Sequence, residues 1–306
     1  MNNNFLICDM ETGVCGTADD AVMEMIDLNP KKKVDLYYVT DPICSHCWAL
    51  EPTLRRFKEQ YGHYFNFQTV MGGLLEKWGF EPVDPANGIY GPADVAGHWR
   101  EVGEQTRMPI DGSLMVENPV QSSFPPSRVF KVIQQRHDDE LAFEYIRRAR
   151  ETLFAFNQNI GERQVMIDIV NGLGLDGEAI VHESEEQTGE QLLHEDFSLA
   201  GKLGARGFPT IVMVNEENTG VKVVGSRSLN YYVSALSQVL NGEEPKAGQL
   251  PSLSKLLEQE KLLFAKEIEV MYDVNPSDLP SFVENELAPG TFEEKELLGE
   301  KYVVKA

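Results

Sequence analysis

Two cysteines, Cys44 and Cys47, stand where a predicted strand meets a predicted helix. Residues 34–40, VDLYYVT, are rich in β-branched and aromatic side chains and predict the strand. Apolar residues recur at helical spacing over residues 48–61, and residues 65–71 predict a second strand. A strand, a helix and a strand in this order are typical of a right-handed crossover with parallel pairing. The sequence therefore predicts an α/β fold with the cysteine pair at the start of its first helix.

Strand character returns only after a long intervening region. Residues from about 76 to 120 are rich in Gly, Pro and Asn, and predict a long connection with little regular structure. The periodicity is helical over most of residues 127–203. Two short strands follow at 210–214 and 221–225 as a predicted antiparallel hairpin, and a helix closes the region at 229–240. The order is β-α-β, a helical insertion, and β-β-α.

These patterns divide the chain into four parts. We expect an N-terminal extension (1–30), an α/β domain in two pieces (31–75 and 205–242), an all-helical insertion (76–204) and a helical C-terminal extension (243–306). In the last part, apolar residues from Leu253 to Met271 predict one helical stripe, and residues 276–287 predict a short helix. The last 20 or so residues are expected to be held loosely.

The composition narrows the class of protein. The formal net charge is −22, which argues against a nucleic-acid or anionic-membrane partner because phosphate binding needs basic patches. The N-terminus lacks a basic segment followed by an apolar run, and no stretch approaches the ~18 apolar residues of a membrane span. We therefore expect a cytoplasmic protein. The sequence does not indicate an oligomeric state.

The chain contains four cysteines: Cys8, Cys15, Cys44 and Cys47. In a large cytosolic protein so few cysteines favour a redox, catalytic or metal role over a disulfide scaffold. A zinc site would need two further thiolate or imidazole ligands, and the spacing of Cys8 and Cys15 is outside the usual geometry. We therefore predict no metal. Cys8 and Cys15 are either a second redox pair that exchanges with Cys44 or guards it, or two unrelated thiols.

The redox interpretation assigns a role to each residue of the pair. Cys44 would lie at a helix N-terminus, where free N–H groups and the helix dipole stabilise a thiolate. His46, between the cysteines, would lower the Cys44 pKa further; the alternative is a solvated residue at the helix start. A more stable thiolate makes the disulfide more oxidising. Cys44 is thus the predicted nucleophile, Cys47 the resolving cysteine and His46 the tuning residue.

The segment Asp41-Pro42-Ile43-Cys44-Ser45-His46-Cys47-Trp48 resembles the active site of the DsbA branch of the thioredoxin superfamily, whose motif is C-P-H-C. It is most similar to the FrnE-like dithiol–disulfide isomerases, in which D-P-x-C-x-x-C-W recurs. Pro52 lies eight residues after Cys44, like the proline that kinks the corresponding thioredoxin helix. The resemblance covers about residues 33–241 and implies a thioredoxin-like fold.

A second match is Gly207-Phe208-Pro209-Thr210, which resembles the superfamily loop whose cis-proline lies beside the disulfide and pairs with the substrate backbone. The resemblance implies a cis Phe208–Pro209 bond and substrate contacts from Phe208 and Pro209. It also suggests a substrate contact from Trp48, although the apolar spacing of Trp48 favours a position in the core.

Two departures from the family pattern stand out. Thioredoxins place a buried acid six residues before the first cysteine, and here that position holds Tyr38, a phenol with an ordinary pKa near 10. Asp35 and Asp41 are the candidates to substitute for it. Ser45 replaces the proline of C-P-H-C, so the family's redox potential does not transfer to this chain.

The resemblance implies a thiol–disulfide oxidoreductase or isomerase that acts on protein or small-molecule disulfides without a bound cofactor. The alternative comes from SpxH-like adapters of the same branch, which bind a regulator and deliver it to the ClpXP protease. Residues 266–273 loosely resemble the C-terminal region of these adapters. In that case the redox pair would be non-essential, and the appended helix would pack on its own domain or on a partner.

Overall fold

The structure is a computed structural model that describes residues 33–79, 84 and 88–306. Up to the end of the insertion its elements are β1 (Val34–Thr40), α1 (Ser45–Tyr61), β2 (Phe65–Met71), α2 (Pro92–Thr106), α3 (Leu114–Glu117), α4 (Phe124–Arg136), α5 (Asp139–Arg150), α6 (Arg163–Gly172), α7 (Gly177–Glu185) and α8 (Gln187–Lys202). The later elements are β3 (Thr210–Asn215), β4 (Gly220–Val224), α9 (Leu229–Val239), α10 (Leu253–Glu260), β5 (Leu262–Phe264), α11 (Ala265–Tyr272), α12 (Leu279–Glu286), β6 (Phe292–Leu297) and β7 (Glu300–Lys305).

A four-stranded sheet in the order β2-β1-β3-β4 carries the α/β part of the chain. Strand β1 pairs in parallel with β2, with Val34 opposite Phe65, and antiparallel with β3, with Val34 opposite Asn215. Strands β3 and β4 form the antiparallel hairpin. The predicted crossover and the predicted hairpin are both confirmed. Because β1 pairs with a strand on each side, its C-terminal end, four residues before Cys44, is held in position.

Helix α1 packs its apolar face on this sheet. Leu50, Leu54 and Phe57 are completely buried, and the ring of Phe57 stacks on that of Phe65 with centroids 5.2 Å apart. Their spacing of four and three residues places them on one face of a helix, where each contributes about 1.5–3 kcal/mol by burial. Pro52 lies inside the helix, as expected. The buried face of α1 thus anchors on the sheet the helix that begins at the cysteine pair.

The insertion is helical, and its helices α4 to α8 follow the periodicity of the sequence. The expectation of an irregular connection over residues 76–120 was wrong for residues 92–106, which form the 15-residue helix α2. Asp94 caps this helix by accepting hydrogen bonds from the backbone N–H groups of Tyr90 and Gly91, both at 3.0 Å. Trp99 lies on its buried face. Glycine and proline residues around the helix concealed this helical pattern.

The C-terminal extension contains helices α10 to α12, as predicted, but also a three-stranded sheet in the order β5-β7-β6. The single stripe from Leu253 to Met271 is interrupted: Lys261 adopts a left-handed φ of 60° and ends α10, and β5 follows. The expectation that the last 20 or so residues are loosely held was also wrong. Strand β7 pairs on both sides, and its Val303 is buried against the helices of the extension.

Residues 32–306 form one compact unit. Phe264 of β5 belongs to the same apolar core as α1 and the central sheet, and its ring meets that of Trp48 edge-on. A buried ion pair between Arg147 of α5 and Glu267 of α11, at 2.9 Å, joins the insertion to the extension. The apolar stripe of the extension therefore packs on its own chain.

Candidate active site

Cys44 and Cys47 form a disulfide with their Cα atoms 5.2 Å apart. Cys44 is the N-cap of α1, and its Sγ accepts a hydrogen bond from the Cys47 backbone N–H at 3.2 Å. Cys44 retains 6% of its surface, whereas Cys47 has none. An attacking sulfur can therefore reach Cys44 but not Cys47. Cys44 thus lies at the surface of the site and Cys47 lies beneath it.

Asp41 connects the end of β1 to the loops around the disulfide. Its buried carboxylate accepts hydrogen bonds from the backbone N–H groups of Ile43 at 3.1 Å and Leu74 at 2.7 Å, and from the hydroxyl of Ser123 at 2.8 Å. Burial raises the pKa of Asp41, and these hydrogen bonds oppose the effect. The carboxylate thus holds three separate segments around the cysteine pair.

Tyr38 occupies the position of the buried acid of thioredoxins, and it differs in environment from the two candidate substitutes, Asp35 and Asp41. Tyr38 is completely buried, and its burial raises the pKa of the phenol further above 10. Asp35 is exposed and accepts a hydrogen bond from Asn66 at 2.9 Å. Of these three residues, Asp41 is therefore the buried carboxylic acid, and it lies three residues before Cys44 instead of six.

A buried ion pair that sequence reasoning missed lies beneath the first turns of α1. Glu51, one helical turn after Cys47, accepts a hydrogen bond from Arg150 at 2.6 Å, and neither side chain is exposed. Arg150 also donates to the hydroxyl of Thr40 and, at 3.1 Å, to the backbone carbonyl of Asp41. The available signal was a charged residue inside the apolar face of α1. Its partner, 99 residues away, left no local trace.

His46 lies at the exposed rim of the site. Its ring faces that of His98, from helix α2, with centroids 5.5 Å apart and an interplanar angle of 67°. Partial burial of the imidazole, and then the nearby His98, lower the pKa of His46. Both effects disfavour the imidazolium form of His46 beside Cys44.

The loop before β3 forms the opposite side of the site. The Phe208–Pro209 bond is cis, the isomer that the resemblance implies. The Phe208 ring lies directly against the backbone of Gly72, where a Cβ would overlap it. Pro209 is buried behind Phe208, and its carbonyl accepts a hydrogen bond from the Gly225 N–H at 2.8 Å. Phe208, rather than Pro209, is the side chain that faces the groove.

A groove with a volume of about 520 Å³ opens over the disulfide. Its walls come from the start of α1, from the loop after β2, from α2 and from the loop before β3, and they combine apolar side chains with a few titratable or charged ones. The lining residues are Ile43, Cys44, Ser45, His46, Leu74, Leu75, Trp78, Asp84, Ile89, Val95, His98, Trp99, Met115, Arg206, Gly207 and Phe208. The structure thus brings Cys44, His46 and Phe208 together in one groove.

Trp48 does not belong to this groove, so its prediction as a substrate contact is corrected. Its side chain has no exposed surface, and the indole N–H donates to the carbonyl of Pro109 at 3.1 Å. The ring stacks on Phe154 with centroids 6.1 Å apart. Position 48 is four residues beyond the N-cap, on the face of α1 that turns to the insertion. Trp48 therefore anchors the insertion.

The candidate second redox pair, Cys8 and Cys15, lies outside the described residues. Among the residues that the structure does describe, no group of three or more His, Cys, Asp and Glu side chains has an arrangement that could hold a metal ion. Within the same part of the chain, no helix has the length and apolarity that a membrane crossing requires.

Residues 37–234 match the family model described as Thioredoxin. The ClpXP adapter protein SpxH of Halalkalibacterium halodurans is 28% identical over 269 residues, which cover 87% of this chain and 86% of that protein. A structure from Nitrosomonas europaea, described as a candidate protein disulfide isomerase, aligns with a TM-score of 0.56 at 19% identity, over 68% of this chain and 96% of that one. The cytosolic disulfide reductase DsbM of Pseudomonas aeruginosa aligns with a TM-score of 0.50 at 20% identity, over 68% and 94%. These similarities show a thioredoxin-like fold.

Proposed function

The chain belongs to the thioredoxin family, and on this premise we propose that it is a thiol–disulfide oxidoreductase that uses Cys44 and Cys47. The observation that carries the proposal is the asymmetric disulfide at the start of α1. Cys44 caps the helix and opens onto the groove, while Cys47 is completely buried behind it. A helix N-terminus stabilises the thiolate that such exchange requires.

Reduction of a substrate would begin with the Cys44 thiolate. It attacks one sulfur of the substrate disulfide, a mixed disulfide forms, and the other substrate sulfur leaves as a thiolate. Cys47 then loses its proton and attacks Cys44 Sγ, which closes the protein disulfide and releases the second substrate thiolate. Two electrons pass from the protein to the substrate. Oxidation of a substrate is the same sequence in reverse. In isomerisation another thiolate of the substrate attacks the mixed disulfide, which forms a new substrate disulfide and releases the Cys44 thiolate without net electron transfer.

The groove supports protein or small-molecule disulfides as substrates. Its walls are largely apolar, with Trp78, Trp99 and Phe208 among the lining residues, and Arg206 adds a positive charge. The volume of about 520 Å³ is within the range of small-ligand sites. The electrons reside on the cysteines, so the reaction needs no bound cofactor. We place the protein in the cytoplasm, as the low cysteine content and the similarity to a cytosolic reductase suggest.

A glutathione titration with matched variants tests the proposal. The wild type should reach a redox equilibrium with glutathione and should reduce insulin or oxidise a reduced test peptide. Cys44→Ser should abolish both reactions, and Cys47→Ser should accumulate mixed disulfides through Cys44. Cys8→Ser and Cys15→Ser together are the control and should retain exchange. A wild type that is inactive in both directions would refute the oxidoreductase.

The second candidate function is an adapter, because the chain is 28% identical to a ClpXP adapter protein over 87% of its length. Such a protein would bind a regulator and present it to the protease. Helix α11, which lies in the segment that resembles the adapters, has Ile268 and Met271 buried in the chain's own extension. A partner would therefore have to bind to the less buried side of this helix.

Degradation in a reconstituted system separates the two candidates. An adapter should accelerate degradation of one bound regulator by ClpXP, and Cys44→Ser should leave that acceleration unchanged. If the regulator is captured independently of Cys44 while the wild type performs no thiol–disulfide exchange, the adapter is correct. If no acceleration occurs while Cys47→Ser traps several client proteins, the oxidoreductase is correct.

A further inference from the structure

Helix α2 of the insertion contributes a second imidazole to the redox site. His98 is half-buried in the wall of the groove, next to the buried Trp99 that anchors the helix. Its ring meets that of His46 edge-to-face with centroids 5.5 Å apart, and both side chains line the groove with Cys44. The cysteine motif therefore has one histidine from its own helix and another from the insertion.

The two rings are close enough for a charge on His98 to act on His46. A positive charge on His98 disfavours protonation of His46, because like charges at this distance repel. The other titratable or charged residues that line the groove are Cys44, Asp84 and Arg206. Burial of part of the His46 ring and the neighbouring His98 both lower the pKa of His46. The residue between the two cysteines is thus restrained from becoming an imidazolium.

We propose that His98 is a positioning residue of the redox site, which limits the positive charge that His46 can place beside Cys44. The inference rests on the proposed function, because it concerns the redox equilibrium of the same pair. An imidazolium beside Cys44 would stabilise its thiolate, and with it the reduced protein. By restraining His46, His98 keeps the disulfide less oxidising than Cys44-Ser45-His46-Cys47 would be without the insertion.

The variant His98→Asn tests the first step, because it removes the ionisable ring and keeps a polar side chain of similar size. The pKa of His46 is measured by NMR titration of its imidazole in the oxidised full-length protein, and His46→Asn identifies the signal. We expect the pKa of His46 to rise towards its ordinary value of 6.5. The control is His182→Asn, an exposed histidine of α7, which should leave the His46 titration unchanged. An unchanged His46 pKa in His98→Asn would overturn the proposal.

The redox equilibrium with glutathione tests the second step. At pH 7, His98→Asn should shift the equilibrium towards the reduced protein by roughly threefold, which corresponds to about half a pKa unit of added thiolate stability. The shift should disappear when the same replacement is made in the His46→Asn background, because His98 acts through His46. A shift of equal size in that background would show that His98 acts through packing alone and would refute the proposal. If the wild type performs no exchange, the proposed function fails, whereas the NMR titration still decides whether the two histidines are coupled.

Discussion

Arg150 and Glu51 meet at 2.6 Å beneath the first turns of helix α1, and neither side chain has any exposed surface. The pair joins helix α5 of the insertion to the helix that begins at the disulfide. Through its contact with the Asp41 carbonyl, Arg150 also reaches the strand end that precedes Cys44. A single guanidinium therefore connects the insertion to both sides of the cysteine pair.

Removing one partner of this pair should lower the stability of the folded protein. Arg150→Met leaves the Glu51 carboxylate buried without its partner, and we expect a loss of about 3–5 kcal/mol in the free energy of unfolding, measured by urea denaturation. The double variant Glu51→Leu/Arg150→Met should recover much of this loss because no buried charge remains. Arg163→Met is the control, since Arg163 and Glu178 pair at 2.9 Å on the exposed surface, where solvent screens the interaction and the loss should be much smaller. A comparable loss in both single variants would contradict the prediction.

The free energy of unfolding should depend on pH through Glu260, a residue of the extension that pairs with Arg55 of α1 and Arg148 of α5. Burial by itself would raise the pKa of this carboxyl, but the charges on Arg55 and Arg147 outweigh it and hold the pKa at about 2. Because the folded pKa is below the ordinary value of 4.5, the stabilisation is complete above pH 4.5 and is lost as the pH falls towards 2. Glu260→Gln should therefore cost about 3 kcal/mol at pH 7, as an upper estimate.

Urea unfolding at a series of pH values checks the sign of this effect. The difference between the wild type and Glu260→Gln should shrink as the pH falls from 4.5 and should vanish near pH 2. Glu258→Gln replaces an exposed carboxylate of the same helix and should give a smaller difference. A difference between the wild type and Glu260→Gln that stays constant over this range would exclude Glu260 as the source of the acid sensitivity.

Gly72 should be essential for the shape of the groove. A methyl group at this position would overlap the ring of Phe208, so Gly72→Ala should displace a side chain that lines the groove. We expect kcat/KM for a peptide disulfide to fall by about tenfold to a hundredfold, since small displacements of positioning groups have effects of this size. Gly62→Ala is the matched control: nothing lies within 4 Å of its added Cβ, and it should retain activity. Full activity in Gly72→Ala would show that the position of Phe208 does not matter.

The two cysteines should differ in reactivity after reduction. Cys44 opens onto the groove and Cys47 is completely buried, so iodoacetamide should modify Cys44 at least about ten times faster. Mass spectrometry of peptides from the Cys8→Ser/Cys15→Ser protein measures both rates without interference from the other thiols. In urea the difference should largely disappear because both side chains become accessible. Equal rates in the native protein would contradict the assignment of Cys47 as the resolving cysteine.

Local patterns were sufficient for the elements that frame the site. The β-branched and aromatic runs of β1 and β2 and the apolar spacing of α1 predicted these elements to within a few residues, because burial on one face imposes a period along the chain. The same patterns failed in two places. Helix α2 was missed because Gly and Pro residues surround it, and β7 was missed because its burial depends on helices of the extension.

The site shows the same division. Cys44, Cys47 and His46 could be named as candidate site residues from the sequence alone. Their spacing at a predicted helix start is local, and free N–H groups at a helix start stabilise a nearby thiolate. The resemblance suggested a substrate contact from Trp48, whereas its apolar spacing favoured the core, and its complete burial confirms the core position. Asp41 was one of two candidate acids, and its complete burial distinguished it from Asp35.

The sequence by itself determined the strand, the disulfide-forming pair and the helix that follows, since these depend on residues within one or two turns of each other. Only the tertiary structure decided what surrounds the pair. His98 comes from a helix 52 residues beyond His46, and Arg150 reaches Glu51 across 99 residues. Such contacts leave no period in the sequence, because they arise when separate elements pack together and bury their polar groups in pairs. The motif thus locates the cysteine pair, and the packing of the insertion determines the charges around it.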